Sequence, residues 1–99
     1  MARIDGVIEA VRYKGGKIDL VRAYERRGAT FSDHVVLDRP TLVARLRQGR
    51  RFVTGSRKPL LASTFDVWSP VILAGRDGDS VVTTPGRHGQ DRLEGVPVF

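Results

Sequence analysis

The chain has 99 residues, 40% of them hydrophobic, and a formal net charge of +6, so it is long enough for one domain with a core of its own. The absence of cysteine excludes disulfides, thiolate metal sites and a cysteine nucleophile. The longest apolar run, residues 71–74, is far shorter than the ~20 residues of a membrane-spanning helix, and Asp5 lies where a signal peptide would be apolar. We therefore expect a single soluble, cytoplasmic domain over residues 1–99.

Two strands joined by a tight turn are predicted at the start of the chain. Residues 3–13 alternate loosely between apolar and polar positions, which is typical of a strand. The glycine pair at positions 15 and 16 supplies the positive φ angles that a short hairpin turn requires. A second strand is predicted from residue 18 to about residue 26, with a bulge near the adjacent apolar residues Leu20 and Val21.

A third strand, residues 30–37, is predicted to lead into one short helix at about residues 39–48. Asp38 can accept hydrogen bonds from the free N–H groups of the first helical turn, and Pro40 is tolerated there because its missing N–H would be unpaired anyway. Gly49 suits the left-handed end of a helix. The apolar stripe at helical spacing consists of Leu42, Val43 and Leu46.

Three further strands are predicted after the helix. Residues 51–56 form the fourth strand, and residues 63–74 form a fifth that Pro70 is expected to bend. A turn at residues 76–79 then leads into a sixth strand at residues 81–84, which together predict a C-terminal hairpin.

The remaining residues complete a mainly β domain. Residues 85–95 are polar and without pattern, which predicts a flexible loop, and the apolar residues 96–99 are expected to pack on the body as a last strand. The order β-β-β-α-β-β, with one helix between the third and fourth strands, resembles the connectivity of OB-fold barrels. An SH3-like barrel is the alternative, and neither resemblance decides function by itself.

Residues 39–65 hold seven basic residues and no acid, whereas the rest of the chain holds ten basic and eleven acidic residues. This asymmetry indicates an anionic partner, provided that cations close in sequence also gather in space. Fourteen of the 17 basic residues are arginine, which binds phosphate and carboxylate with two parallel hydrogen bonds. An alternative explanation for the many arginines is that a GC-rich genome overuses arginine codons.

The second strand carries the first candidate binding surface. Arg22, Tyr24 and Arg26 fall on one side of it, and an aromatic ring between two guanidinium groups is the arrangement used to stack a base and neutralise phosphates. The alternative is that tyrosine is common on exposed strand faces because it packs well across strands.

The fourth strand carries the second candidate surface. If Phe52 points into the core, alternation directs Arg51 and Arg57 outward. Gly55 lies between these two arginines and permits a close approach by a ligand. The alternative is that these arginines pair with acids on neighbouring strands, such as Asp19 or Asp33.

We find no catalytic motif, metal site or cofactor site in the sequence. The letters of Gly55-Ser56-Arg57-Lys58 occur in the wrong order for a phosphate-binding loop, and two distant histidines, His34 and His88, do not define a metal site. The sequence therefore predicts a non-enzymatic module that binds single-stranded DNA or RNA with little sequence preference. The alternative is a protein-interaction or accessory structural domain with an acidic protein partner. The predicted nucleic-acid-binding residues are Arg22, Tyr24, Arg26, Arg50, Arg51, Arg57 and Lys58.

Overall fold

The computed structural model describes residues 3–58, 64–75, 80–86 and 90–99, which form a mainly β domain with one short helix. In chain order its elements are β1 Gly6–Lys14, β2 Lys17–Arg27, β3 Thr30–Phe31, β4 Val35–Asp38, α1 Arg39–Arg47, β5 Phe52–Arg57, β6 Phe65–Pro70, β7 Ile72–Ala74 and β8 Val81–Thr83. The predicted small barrel-like fold is confirmed, and the helix directly follows β4. The predicted third strand is divided into β3 and β4, and the fifth is divided near Pro70 into β6 and β7.

The larger sheet curls into a half-barrel with β1 at its centre. Its strand order is β3-β2-β1-β5-β6, and β4 also pairs with β2. β1 and β2 are antiparallel around Gly15 and Gly16, whose φ angles of 60° and 79° confirm the predicted hairpin turn. The predicted bulge lies at Asp19, because Arg12 pairs with Leu20 and the next residue of β1 pairs with Ile18. β1 pairs in parallel with β5, which requires the crossover that α1 provides.

The helix begins and ends where its capping residues predict. Asp38 Oδ1 accepts a hydrogen bond of 2.9 Å from the Thr41 N–H. Hydrogen bonds from the side chain and backbone of Thr41 lower the pKa of Asp38. Gly49 follows the last turn with φ of 83°, and Leu42 is fully buried. Within the described ranges, no helix has the length and apolar character needed to cross a membrane.

A smaller two-stranded sheet and the chain end cover the open side of the half-barrel. β7 and β8 are antiparallel, which confirms the predicted C-terminal hairpin, although the predicted turn at residues 76–79 lies outside the described residues. The Val11 N–H donates to Pro97 O and the Phe99 N–H donates to Val11 O, both at 2.9 Å, so the last residues extend the sheet beside β1. The enclosed core includes Ile8, Val11, Val21, Leu42, Phe52 and Val82.

The polar segment after β8 contributes a buried anchor through Asp91, which is 3% exposed. Its carboxylate accepts the backbone N–H groups of Ile18 at 2.8 Å and Val82 at 2.9 Å, and it pairs with the Arg39 guanidinium at 2.7 Å. One side chain thereby connects β2, β8 and α1. The flexibility of residues 85–95 as a whole stays a prediction.

Candidate functional site

The large sheet has a second covered face, on the side away from the core, which we call the outer face. Ile8 and its partner Ala23 point into the core, so the alternation along the strands directs Val7 and its partner Tyr24 outward. Both outward residues are nevertheless buried, with Tyr24 only 4% exposed. A further layer of side chains therefore covers this part of the outer face.

Aromatic rings form the base of that layer. The ring of Tyr24 lies 4.6 Å from the His34 ring and 5.3 Å from the Phe65 ring, measured between centroids. Phe65 also makes an edge-to-face contact with Phe31 at 4.7 Å. Rings at these separations attract each other beyond the area they bury, so the four residues form one connected cluster.

Two arginines lie on top of this aromatic cluster. The guanidinium carbon of Arg57 is 4.0 Å from the centroid of Tyr24, and its Nη2 donates to Ser32 O at 2.9 Å. Arg26 lies 4.7 Å above the ring of Phe31, and its Nε donates to Ile4 O at 2.7 Å. Stacking and hydrogen bonding together hold both guanidinium groups in fixed planes.

Two more arginines enclose Phe99 farther along the same face. The guanidinium carbon of Arg22 lies 4.7 Å from the centroid of Phe99, and that of Arg12 lies 5.0 Å from it. The Arg12 Nε also donates to the Phe99 carbonyl oxygen at 3.2 Å. The outer face therefore carries four arginines, each seated on an aromatic ring, and we call this set the arginine–aromatic ladder.

A hydrogen-bonded group of titratable side chains lies beside Tyr24. Its hydroxyl is 2.7 Å from His34 Nε2, and the same nitrogen contacts the carboxylate of Glu9. Burial raises the pKa of Tyr24, and hydrogen bonding to Glu9 adds to the shift, while the charges of Arg57 and Arg22 oppose it. The phenol therefore stays protonated at neutral pH. No cluster of three or more metal-ligating side chains occurs in the described parts of the chain.

The position of Tyr24 differs from the sequence prediction in one respect. It lies on the predicted face with Arg22 and Arg26, but its ring is covered by Arg57, His34 and Phe65. The ring of Tyr24, 4% exposed as a residue, therefore offers no free face on which a nucleotide base could stack. In the structure, Tyr24 instead supports the guanidinium group of Arg57.

Gly55 was predicted to permit a close approach by a ligand between Arg51 and Arg57, but the structure gives it a different role. A Cβ atom built at this position would lie 2.3 Å from the backbone oxygen of Asp66. The close approach that requires glycine is therefore made by β6 and not by a ligand. Phe52 is in the core, as expected.

The cations of residues 39–65 do not converge on one groove, contrary to expectation. Acids from other parts of the chain neutralise several of them, because folding brings together charges that are separated in sequence. The pairs are Arg39 with Asp91 at 2.7 Å, Arg45 with Glu25 at 3.1 Å, Lys58 with Asp66 at 3.7 Å and Arg57 with Asp33 at 3.9 Å. Arg50 and Arg51 are exposed and lie before the start of β5, at the opposite end of that strand from Arg57.

The sequence prediction of the site missed Arg12, Phe31, Phe65 and Phe99. Local alternation indicates the orientation of Arg12, but no pattern indicates that the last residue of the chain packs between two arginines of the first hairpin. No protein family, curated protein or solved structure matches this chain.

Proposed function

We propose that the protein binds single-stranded DNA or RNA, with little sequence preference, through its outer face. The observation that carries this proposal is the arginine–aromatic ladder. Arg22 and Arg26 have no ion-pair partner among the described residues, and Arg12 donates through its Nε to the main-chain oxygen of Phe99 at 3.2 Å. The outer N–H groups of all three are therefore available to phosphate. Because the rings already restrict these side chains, less conformational entropy is lost when they bind.

The charge balance of the outer face supports an anionic ligand. Four arginines share this face with Glu9, which contacts His34, and with Asp33, which is fully exposed and 3.9 Å from Arg57. Phosphate contacts of this kind position a strand without reading its bases, which accounts for the low sequence preference in our proposal.

A non-enzymatic role and a cytoplasmic location are parts of the same proposal. The hydroxyl of Tyr24 is hydrogen-bonded beside an imidazole and a carboxylate, which is an arrangement that can activate a nucleophile. Its burial and raised pKa make the reactive phenolate less accessible at neutral pH. The lack of cysteine is in keeping with a reducing compartment.

Binding is expected to weaken steeply with salt. Neutralising each phosphate of a single strand contributes about 0.7 to the slope of log affinity against log salt, so contacts from the three available arginines predict about a 20-fold loss between about 50 and 200 mM. Fluorescence anisotropy with a labelled strand of about 20 nucleotides measures this directly. An affinity weaker than about 1 μM at about 50 mM salt, without a salt slope, would contradict the proposal.

The double variant Arg12→Glu/Arg22→Glu is expected to weaken nucleic-acid binding by at least about tenfold, because it reverses two charges of the ladder. Arg50→Glu/Arg51→Glu is the matched control, because it makes the same change of charge at two exposed arginines outside the ladder. Equal affinities for the ladder variant and this control would show that the ladder is not the binding surface.

The edge of β6 favours a second candidate function, binding of a protein partner. Among the described residues, β6 pairs with a strand on one side only, and its Val67 and Trp68 are 50% and 46% exposed. An open edge with apolar side chains is suited to the addition of a partner strand. Salt-tolerant association with a protein, together with no binding in the anisotropy assay, would favour this function.

A further inference from the structure

An open groove of about 510 Å³ lies where α1 ends, β5 begins and β6 turns into β7. Its aliphatic lining includes Leu46, Val71, Ile72 and Leu73, and Ile72 is 42% exposed. This volume is within the range of about 300 to 1,000 Å³ found for ligand sites. Arg51, which lines the groove, is about 20 Å along β5 from Arg57, given the rise per residue of a strand.

Two arginines line this apolar groove. Arg50 and Arg51 are both exposed, and neither guanidinium group has an ion-pair partner in the part of the chain that the structure describes. Two acids lie nearby. Asp5 accepts the backbone N–H of Arg51 at 2.9 Å and lies 3.7 Å from Arg3. Glu25 lines a neighbouring cavity with Arg50 and pairs with Arg45 at 3.1 Å. Asp5 therefore orients the backbone here and leaves the Arg51 side chain available.

The end of α1 also borders the groove, and the negative end of a helix dipole opposes an anion. Its last carbonyl groups are already occupied, because Leu46 O accepts from the Gly49 N–H at 3.1 Å and Arg45 O accepts from the Arg50 N–H at 3.2 Å. With these carbonyls paired, the charges of Arg50 and Arg51 dominate the groove.

We propose that this groove binds an acidic, aliphatic peptide segment of a partner protein. Leucine-like or valine-like side chains would pack on Leu46, Ile72 and Leu73, and carboxylates would pair with Arg50 and Arg51. The lining favours a peptide over a nucleic-acid strand, because its side chains are mainly aliphatic and offer no exposed ring on which bases would stack. The open shape suits an extended chain that enters and leaves the groove.

The proposal is tested by selection from a displayed library of random peptides of about ten residues, using the intact protein. We expect enrichment of sequences in which aspartate or glutamate adjoins leucine, isoleucine or valine. Enrichment should disappear with Arg50→Glu/Arg51→Glu and persist with Arg12→Glu/Arg22→Glu, which makes the same change of charge outside the groove. A labelled peptide from the selection should then bind the double variant at least about tenfold more weakly, because two ion pairs are lost.

A second variant tests the aliphatic lining, and a second ligand separates this site from the ladder. Ile72→Ser should weaken peptide binding several-fold without unfolding the domain, since this side chain is already partly exposed. Arg12→Glu/Arg22→Glu should leave peptide binding unchanged, whatever it does to nucleic-acid binding. No enriched sequence, or an acidic sequence that binds Arg50→Glu/Arg51→Glu equally well, would overturn the proposal.

Discussion

Replacing Asp91 with alanine is expected to lower the free energy of unfolding by about 3 to 4 kcal/mol. The change removes the acceptor for two buried N–H groups, those of Ile18 and Val82, and leaves the Arg39 guanidinium without its carboxylate. Small domains are stable by only about 5 to 15 kcal/mol, so the loss is a large fraction of the total. Urea denaturation followed by circular dichroism measures it.

Asp66→Ala is the matched control for this prediction. Asp66 is exposed, and its pair with Lys58 at 3.7 Å is at the surface, so its loss should change stability by less than about 1 kcal/mol. Similar effects for the two substitutions would mean that Asp91 does not hold β2, β8 and α1 together in solution.

Asp91 also predicts how stability depends on pH. Its burial raises the pKa, but hydrogen bonds from Arg39 and from the N–H groups of Ile18 and Val82 outweigh burial and lower the pKa overall. Because the pKa is lower in the folded than in the unfolded state, this stabilisation is present above the unfolded value and is lost as the pH falls through the folded value. Asp91→Asn should therefore lose stability at neutral pH and show a shallower decline in acid.

The second large effect is expected for Gly55→Ala. The added Cβ would lie 2.3 Å from the backbone oxygen of Asp66, and a backbone atom cannot rotate away as a side chain can. We expect a loss of about 3 kcal/mol as β6 is forced away from β5. Thermal unfolding gives the size of the effect, and faster amide exchange confined to β6 would show its location.

Gly28→Ala provides the comparison for Gly55→Ala. Gly28 has φ of 65°, and a Cβ there would meet no atom within 4 Å, so only the left-handed conformation opposes the substitution. Its expected cost is about 1 kcal/mol. If the two alanine variants are equally stable, the close approach of β6 to Gly55 is not a constraint on the fold.

The elements with strong local signals could be predicted from the sequence. The hairpin at Gly15 and Gly16 and the helix between Asp38 and Gly49 depend on φ preferences and capping hydrogen bonds that operate within a few residues. The division of the third strand into β3 and β4 was not predicted, because it depends on how each half pairs with the long strand β2.

The site was predicted less completely than the fold. Strand alternation correctly brought Arg22, Tyr24 and Arg26 to one face, since neighbouring side chains of a strand point to opposite sides. It did not indicate that Arg57 and Phe65 cover the Tyr24 ring, because those residues come from two other strands. Exposure depends on what packs above a side chain, and alternation describes only its direction.

The sequence by itself determined the mainly β character, the short helix between Asp38 and Gly49 and the excess of arginine, because each follows from local preference or simple composition. Only the tertiary structure decided which arginines are neutralised and which are seated on rings. The acids that pair with Arg39 and Arg45, and the phenylalanine enclosed by Arg12 and Arg22, come from distant parts of the chain. Coulomb and ring interactions depend on separation in space, and folding sets that separation.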